Sequence, residues 1–551
     1  MKVASEVPAE KLRGGFYTPD PLVQLCFKQV SELLPGIRQR LLEPSVGDGA
    51  FLRNLPRSPL ASKVSSITAI EPMEIEAERA RRALVMSGWK GEVLTTSAID
   101  WAATTTETYD VAVGNPPFVR YQFVSAADRT STLDLARRLR LHIGGVANLW
   151  IPVLLGALSR LRPGGAFAFV VPTECMTGCS ASVVRRWLIG NCDEVRFDLF
   201  PPGSFPAVLQ EVAVLSGRLR DGCLTRQRLR LHIAEHMGLQ PGADWSHEVA
   251  GDGPWTKYLL SPSKVRALET ATADERVATL GSLVAFEVSI VTGANGFFTV
   301  SEDTVDKFEL HAWTRPLLPR IRHAAGLRYT LEDHALTEGS GARGWLLDFS
   351  LPPDPATHER AAAYIQTGES QNLHTRYKCR IREPWFVVPG ITSGELLLSK
   401  RSHLHPRVVL NEAGVFTTDT IYRGRMLDLS MSATALAANF HSSLTLLSAE
   451  LEGRSFGGGV LELVPSEIGR LLILAAPVDA QLAAHLDALA RAGDSDALIS
   501  ATDAHLVDSG VIEAEVMKEL DQARRMLLAR RLDRNRKFVQ PRDAEERPAA
   551  A

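Results

Sequence analysis

The sequence has few cysteines and no long apolar run, and both absences exclude classes of protein. Six cysteines are spread over 551 residues, and none shows the C-x-x-C spacing of a structural zinc site. Six thiols in so long a chain do not form a disulfide framework. No apolar run approaches the length of a membrane span, and the N-terminus lacks the apolar core of a signal peptide. The sequence therefore predicts a soluble, cytoplasmic protein with no metal site and no membrane partner.

The sequence also lacks a large net charge. Its 61 Lys and Arg residues nearly balance 64 Asp and Glu residues, which gives a formal net charge of −3. If the protein binds DNA, its positive charge must therefore be local. Residues 376–407 carry seven Lys and Arg residues against two acids. Residues 524–537 carry seven against one on a helical pattern, which favours a solvated helix face over an arm that grips DNA.

Strand-like and helix-like segments alternate along the first half of the chain. The strand candidates end at Glu43, Glu71, Thr96, Gly114 and Val171. This alternation predicts an α/β domain with a Rossmann-like, doubly wound and mostly parallel sheet.

A stretch rich in Gly, Pro, Asp and Ser, residues 238–255, indicates a domain boundary. We therefore expect a first domain at residues 1–245 and a second at residues 246–551. Short β-branched and aromatic runs alternate with helical pieces in the second half, which predicts an α+β domain. It should end in a basic helix and a short disordered tail.

The loop after the first strand candidate has the composition of a ligand site. It runs from Glu43 to Gly49, and its glycines let the backbone turn tightly and approach a ligand. Glu71 follows about 20 residues later, where an acid in doubly wound folds reaches ribose hydroxyls. A solvated carboxylate at a strand end is the alternative for Glu71.

The same loop lacks the third glycine of a dinucleotide fingerprint and the Gly-Lys-Ser/Thr of a phosphate-binding loop. A nucleoside without phosphates fits better, and S-adenosylmethionine is such a ligand. Asp100 follows the third strand candidate, where its carboxylate can accept from the adenine amino group. A helix N-cap before Trp101 is the alternative for Asp100.

The tetrapeptide Asn115-Pro116-Pro117-Phe118 follows the fourth strand candidate, and its residue types suit methyl transfer to a planar nitrogen. The lone pair of an exocyclic amino group is delocalised into its ring, so two acceptors aimed at its hydrogens would turn the lone pair towards a methyl donor. The Asn115 side-chain oxygen and the Pro116 carbonyl can be those acceptors, preorganised by the prolines. Phe118 can stack on the base, a contact worth about 1–3 kcal/mol. A turn with a helix cap is the structural alternative.

With these motifs in this order, the chain resembles the gamma-class, TaqI-like N6-adenine DNA methyltransferases of restriction–modification systems. Gly14-Gly15-Phe16-Tyr17-Thr18-Pro19 is similar to the family's N-terminal cofactor motif, which closes over the methionine end of the ligand. The resemblance implies a class I S-adenosylmethionine-dependent methyltransferase domain. It also implies these cofactor-binding residues: Tyr17, Thr18, Glu43, Ser45, Gly47, Gly49, Glu71, Met73 and Asp100.

The same resemblance implies that Asn115, Pro116 and Phe118 carry the reaction on an adenine flipped out of duplex DNA. Phe205 resembles the second aromatic residue that sandwiches this base, and core packing is the alternative for it. The family's activity implies protection of the site from a cognate restriction endonuclease on a separate chain. It also implies that a monomer suffices.

The second half resembles, more loosely, the family's target-recognition domain. Residues 291–298, 382–386 and 453–462 carry this resemblance. Together with the segment after the tetrapeptide, it implies the following DNA-binding residues: Arg120, Tyr121, Asn295, Arg376, Lys378, Arg382 and Arg407. Each of these cations could instead be a solvated surface charge.

Three alternatives compete with this interpretation. RNA and protein-glutamine N-methyltransferases also present an Asn-Pro-Pro-Phe/Tyr tetrapeptide to a planar nitrogen, but the long second half and Tyr17-Thr18-Pro19 before the glycine loop favour DNA. A non-catalytic DNA-binding specificity protein would not be expected to keep Asn115, Glu71 and Asp100. A fused endonuclease is not expected, because we find no acid-acid-lysine nuclease pattern in a separate domain.

Overall fold

The structure is a computed structural model that describes residues 18–119, 123–142, 148–201, 204, 211–222, 228–237, 240–428, 430–456 and 458–533. The described chain divides into two compact units, of which the first extends to Pro262 and the second begins at Ser263. The boundary expected after residue 245 falls inside a strand, Gln240–Val249, which pairs with the preceding strand of the first unit. Pro241, Gly242, Asp244 and Ser246 of this stretch therefore belong to the edge strand of the first unit's sheet.

The first unit is built on one sheet of nine strands. These are β1 Gln39–Glu43, β2 Val64–Ile70, β3 Gly91–Leu94, β4 Tyr109–Gly114, β5 Leu161–Pro172, β6 Cys192–Leu199, β7 Val212–Leu219, β8 Leu229–Met237 and β9 Gln240–Val249. Their order in the sheet is β3-β2-β1-β4-β5-β7-β6-β8-β9. The pairs among β1 to β5 are all parallel, while β7 runs antiparallel to both β5 and β6. The prediction of a doubly wound, mostly parallel sheet is confirmed.

The order of the strands fixes where a ligand can bind. From β1 the chain winds to β2 and β3 on one side, and it then crosses to β4 and β5 on the other side. In open α/β sheets the crevice at such a reversal, outside the carboxyl ends of the strands, is the ligand site. Here the crevice lies where β1 ends at Glu43 and β4 ends at Gly114.

Helices cover the sheet of the first unit. They are α1 Asp20–Leu33, α2 Ala50–Asn54, α3 Glu74–Ser87, α4 Ala98–Thr104, α5 Ala126–Leu139, α6 Trp150–Leu158, α7 Glu174–Thr177 and α8 Ser182–Asn191. Helix α1 follows Pro19 and buries one face, with Cys26, Phe27 and Val30 in the core. Phe27 packs edge to face on Phe51 of α2, with ring centroids 5.6 Å apart. This packing fixes the start of α1 beside the crevice.

The second unit is α+β, as predicted. Its strands are β10 Val277–Thr279, β11 Val284–Val288, β12 Thr299–Val300, β13 Thr314–Pro316, β14 Arg328–Tyr329, β15 Trp345–Leu347, β16 Leu396–Ser399, β17 Arg401–Ser402, β18 Val408–Asn411, β19 Ile421–Met426, β20 Arg454–Phe456, β21 Val460–Glu462 and β22 Leu472–Leu474. The largest sheet has the order β11-β19-β16-β18-β14. Only its pair β14–β18 is parallel.

Thirteen helices are described in or at the start of this unit. They are α9 Pro262–Thr272, α10 Leu280–Leu283, α11 Asn295–Phe298, α12 Glu302–Phe308, α13 Leu331–Gly339, α14 Glu359–Ser370, α15 Tyr377–Arg380, α16 Ala433–Asn439, α17 Ser443–Glu452, α18 Pro465–Ile468, α19 Ala480–Arg491, α20 Ser495–Asp508 and α21 Ala514–Asp533. No helix in the described ranges is both long and apolar enough to cross a membrane.

The last helix, α21, buries two of the positive charges that the sequence pattern places on a solvated face. Arg524 is 1% exposed and Arg531 is 3% exposed. These two residues lie two helical turns apart and therefore on one face, which packs on α17. Arg531 forms a buried ion pair with Glu450 of α17, with Nη2 2.6 Å from Oε1. The interpretation of this segment as a solvated helix face is thus wrong for its buried side, and the tail from residue 534 lies outside the described residues.

Candidate active site

The crevice at the ends of β1 and β4 brings together loops that are far apart in the sequence. The Ser45 hydroxyl donates to the carbonyl oxygen of Asn115 over 3.1 Å. The backbone N–H of Val46 donates to the carbonyl of Ile70 at the end of β2. The glycine loop is therefore held between the ends of two neighbouring strands, beside the tetrapeptide.

Gly47 of this loop and Glu71, directly after β2, are joined by a hydrogen bond at the crevice. Gly47 has φ +53°, and a Cβ placed on it would meet no atom within 4 Å. The Glu71 carboxylate accepts from the backbone N–H of Gly47 at 3.1 Å and from that of Met73 at 3.0 Å. Burial raises the pKa of Glu71, while these two N–H donors act in the opposite direction. Glu71 is thus a positioned acceptor and not a freely solvated strand-end carboxylate.

Glu43 is a buried acid at the end of β1. It is 1% exposed, and burial raises its pKa well above the usual value. Its Oε2 has no hydrogen-bond partner among the described residues. A buried polar atom without a partner costs about 1–3 kcal/mol, so a ligand that bonded to Oε2 would gain from it. Glu43, Gly47 and Glu71 therefore fit a nucleoside-containing ligand with polar groups at both ends, such as S-adenosylmethionine.

Gly49, predicted as a cofactor residue, also has a packing role in the structure. It precedes α2 with φ +89°, and a Cβ on it would lie 2.8 Å from the Cβ of Ala83 in α3. The lack of a side chain at this position therefore lets α2 and α3 pack closely. The neighbouring Asp48 pairs with Arg53, at 2.6 Å.

The close packing at Gly49 predicts an effect on stability. Gly49→Ala should lower the free energy of unfolding of the first unit by about 2–4 kcal/mol, because it adds both a left-handed φ penalty and a steric clash. Gly88, at the end of α3, is a matched control because it has φ +74° with no atom within 4 Å of the added Cβ. Gly88→Ala should cost only the backbone strain, about 1–2 kcal/mol. Urea denaturation of the two variants measures the difference, and equal losses would contradict the assignment.

Asp100 lies on α4, in the first turn after β3. The N-cap of this helix is Ser97, so the alternative role of Asp100 as the N-cap is wrong. Its exposed carboxylate accepts from the Ser131 hydroxyl of α5 at 3.4 Å. Asp100 is thus available to solvent beyond the carboxyl end of β3, which β2 separates from β1 in the sheet.

Asn115 is oriented by a residue from the other end of the domain. Its Nδ2 donates to the Thr18 hydroxyl over 3.1 Å, across a separation of 97 residues. Thr18 is buried and precedes α1. Thr18 of the N-terminal motif, the glycine loop and the tetrapeptide, which the sequence suggested separately, are therefore adjacent in space.

The other predicted residues of this site divide into two groups. Pro116 is buried, and Phe118 is half-buried, with part of its side chain packed on the core that contains α1 and β4. Four predicted residues lie outside the described ranges: Tyr17, Arg120, Tyr121 and Phe205.

The structure adds a group at the end of β6 that the sequence did not suggest. The fully buried Asp198 lies 2.8 Å from the Nε2 of His236, and the His236 ring stacks on Phe200 with centroids 5.0 Å apart. Strand β6 is parallel to β8, and both end at the same edge of the sheet as β4. The acid at Asp198 within the strand-like segment 195–199 was the available signal, but its partner His236 lies 38 residues away.

Among the predicted DNA-binding residues of the second unit, three have structural partners. Arg382 donates to the carbonyls of Val291 and Thr292, each at 2.7 Å. Arg407 donates to the carbonyls of residues 325 and 326. The exposed Asn295 donates from Nδ2 to Asp419 at 3.2 Å. The guanidinium groups of Arg382 and Arg407 thus stabilise the fold, whereas Arg376 and Lys378 are exposed.

Comparison with known proteins shows which proteins the chain resembles. Residues 252–507 match the family model described as the C-terminal domain of the type II methyltransferase M.Eco57I. The type II methyltransferase M.XamI of Xanthomonas campestris pv. amaranthicola is 21% identical over 480 residues, which are 84% of this chain and 85% of that protein. M.AccI of Acinetobacter calcoaceticus is 19% identical over 491 residues, 83% of this chain and 85% of that protein. M.BanIII of Aneurinibacillus aneurinilyticus is 28% identical over 236 residues, 39% of this chain and 40% of that protein.

The chain is similar to type II methyltransferases over most of its length. The predicted resemblance to a DNA methyltransferase of a restriction–modification system is confirmed at this level, and the gamma class within it stays a prediction. S-adenosylmethionine is the cofactor that goes with this family, and the crevice residues fit it. The matched residues 252–507 lie almost wholly in the second unit, so it is this unit that resembles the methyltransferase C-terminal domain.

Proposed function

We propose that this protein transfers a methyl group from S-adenosylmethionine to the N6 amino group of an adenine in duplex DNA. The observation that carries the proposal is the hydrogen bond between Asn115 and Thr18 beside the glycine loop. It supports an arrangement in which the group that binds the amino nitrogen lies next to the group that binds the methyl donor. Such juxtaposition is the main requirement of a reaction catalysed by positioning.

The chain's own residues orient the target nitrogen. Because Thr18 accepts from Nδ2 of Asn115, the amide presents Oδ1 on its other branch. Oδ1 and the carbonyl of Pro116 accept the two amino hydrogens, which turns the nitrogen lone pair out of conjugation and towards the donor. Two adjacent prolines hold the backbone, so these acceptors need no ordering when the reaction occurs.

The cofactor, when bound, supplies an electrophilic methyl group on a sulfonium. Glu71, already fixed by the N–H groups of Gly47 and Met73, accepts the ribose hydroxyls. Gly47 leaves room for the ligand, and Glu43 bonds its amino end through the buried Oε2. Ser45, Tyr17 and Thr18 complete this cradle, and Asp100 accepts from the adenine amino group of the cofactor.

The target adenine reaches the crevice by flipping out of the duplex, at a cost of a few kcal/mol. Stacking on the exposed part of Phe118 and on Phe205 offsets this cost. Arg120 and Tyr121, which follow the tetrapeptide, contact the DNA at the mouth of the site. One copy of the chain suffices for these steps, and a cognate restriction endonuclease is a separate protein.

A direct measurement tests this function. Purified protein is incubated with labelled S-adenosylmethionine and unmethylated genomic DNA, and the digested nucleosides are identified by mass spectrometry. We expect N6-methyladenine, confined to one short sequence by base-resolution mapping. N4-methylcytosine or 5-methylcytosine would contradict the adenine assignment. Labelling of RNA or of a protein glutamine, with none of DNA, would contradict the substrate.

A further inference from the structure

A short turn of the second unit, residues 376–381, carries three positively charged side chains. Arg376, Lys378 and Arg380 are all exposed. Several surface arginines of this unit have a carboxylate partner, as Arg315 has Asp348 and Arg423 has Glu287. The three cations of the turn have no ion pair among the described residues.

The same turn exposes two large apolar side chains. Tyr377 is 65% exposed and Ile381 is 62% exposed, and Tyr377 is the only aromatic residue among the exposed large hydrophobic residues of the described chain. Its ring lies 5.7 Å from Nζ of Lys378 and 5.6 Å from Cζ of Arg380. Val291, on a neighbouring segment, is 40% exposed. A surface with unpaired cations around an exposed aromatic ring can contact both the phosphates and the bases of a nucleic acid.

The part of the second unit that supports this turn is closely packed. Cys379 is fully buried in the core of this part of the unit, which also contains Phe297 and Tyr364. Gly293 has φ +80°, and a Cβ on it would lie 2.7 Å from the Cβ of Lys378, so the two segments touch closely. The bonds from Arg382 to the carbonyls of Val291 and Thr292 close the same contact. The exposed side chains are therefore displayed on a fixed backbone, which lowers the cost of ordering them on binding.

We infer that the turn formed by residues 376–381 enters a groove of the target DNA. In this arrangement the three cations contact phosphates. The side chains of Tyr377 and Ile381 contact the bases. A duplex is favoured over a protein partner because three adjacent unpaired cations match a polyanion, with Glu383 the nearest acid in the sequence. The inference rests on the proposed function and adds to it the element of the second unit that takes part in target recognition.

The phosphate contacts are tested by the salt dependence of binding. The full-length variant Arg376→Gln/Lys378→Gln/Arg380→Gln is compared with wild type by fluorescence anisotropy of a labelled duplex. Each lost phosphate contact reduces the slope of log K against log salt by about 0.9, so the triple variant should lose about 2–3 of that slope. The matched control is Arg360→Gln/Arg470→Gln/Lys518→Gln, which removes the same charge from residues paired with Glu309, Glu452 and Glu515. Its slope should equal that of wild type.

The base contacts are tested by Tyr377→Ser and Ile381→Ser. With a duplex that carries the mapped methylation site, kcat/KM should fall about 10- to 100-fold for Tyr377→Ser, mainly through KM. The salt slope and the affinity for S-adenosylmethionine should stay unchanged. Leu336→Ser is the control, because Leu336 of α13 is 74% exposed on the same unit, next to acidic residues.

The outcomes separate the inference from the function on which it rests. Methylation of DNA by wild type, with wild-type slopes and KM values in all turn variants, would overturn the inference alone. Duplex binding by wild type without methyl transfer would contradict the proposed function, while the salt slopes would still decide the role of the turn. If the control triple variant lost as much of the salt slope as the triple variant of the turn, the inference would also be overturned. The slope would then depend on the total charge of the protein and not on the position of the charges.

Discussion

Asn115→Ala is expected to lower the rate of methyl transfer to DNA by about 10²–10³-fold or more, which is typical of removing one preorganised hydrogen-bonding group from a reaction centre. The alanine removes the acceptor that holds the target nitrogen and leaves the glycine loop, Glu71 and Glu43 in place. The affinity for S-adenosylmethionine should therefore change little. Single-turnover incorporation of labelled methyl groups into unmethylated genomic DNA measures the rate, and equilibrium dialysis of the cofactor measures the affinity.

A smaller change at Thr18 provides the graded control for this prediction. Thr18→Val removes the hydroxyl that accepts from Nδ2 of Asn115 and keeps the shape of the side chain. It should lower the rate about 10-fold, because the amide loses a single hydrogen bond that fixes its orientation. Thr18→Ser should restore most of the rate. A wild-type rate in Asn115→Ala would contradict the mechanism whatever the effect of Thr18.

Arg531→Met is expected to destabilise the second unit by about 3–5 kcal/mol, the usual cost of removing one partner of a buried ion pair. Arg531 bonds to both carboxylate oxygens of Glu450, from Nε at 2.8 Å and from Nη2 at 2.6 Å. It also donates to the backbone carbonyls of His403 and Leu404, each at 2.7 Å. It donates to the carbonyl of Gly459 as well, so the substitution would leave a buried carboxylate without its counter-ion and three carbonyls without this donor. Hydrogen exchange of peptides from α17 and α21 measures the loss in the affected unit.

Two further variants show whether the buried pair causes the effect. Arg525, on the same helix, is about half exposed and pairs with Asp521 and Asp496, so Arg525→Met should cost at most about 1 kcal/mol. The double variant Arg531→Met/Glu450→Leu should recover much of the stability, because it removes both charges at once. A loss in Arg531→Met no larger than that in Arg525→Met would disagree with the structure.

Much of the first unit was predictable because its elements are encoded locally. The strand candidates that end at Glu43 and Gly114 match β1 and β4, and the left-handed φ of Gly47 follows from the glycine loop. The packing role of Gly49 was not predictable, because it depends on Ala83, which lies on a different helix. The Thr18–Asn115 bond was also beyond local patterns, since nothing in either segment specifies its partner.

The positive charges of the second unit show most clearly what the sequence alone determined. Spacing and composition identified residues 376–407 as basic, and the order of motifs identified a methyltransferase fold with a nucleoside site and an Asn-Pro-Pro-Phe turn. Only the tertiary structure distinguished Arg382 and Arg407, which bond to backbone carbonyls, from Arg376, Lys378 and Arg380, which have no ion pair in the described chain. The physical reason is that a side chain's charge is fixed by its residue type, whereas its desolvation and its partners are set by segments that only folding brings near.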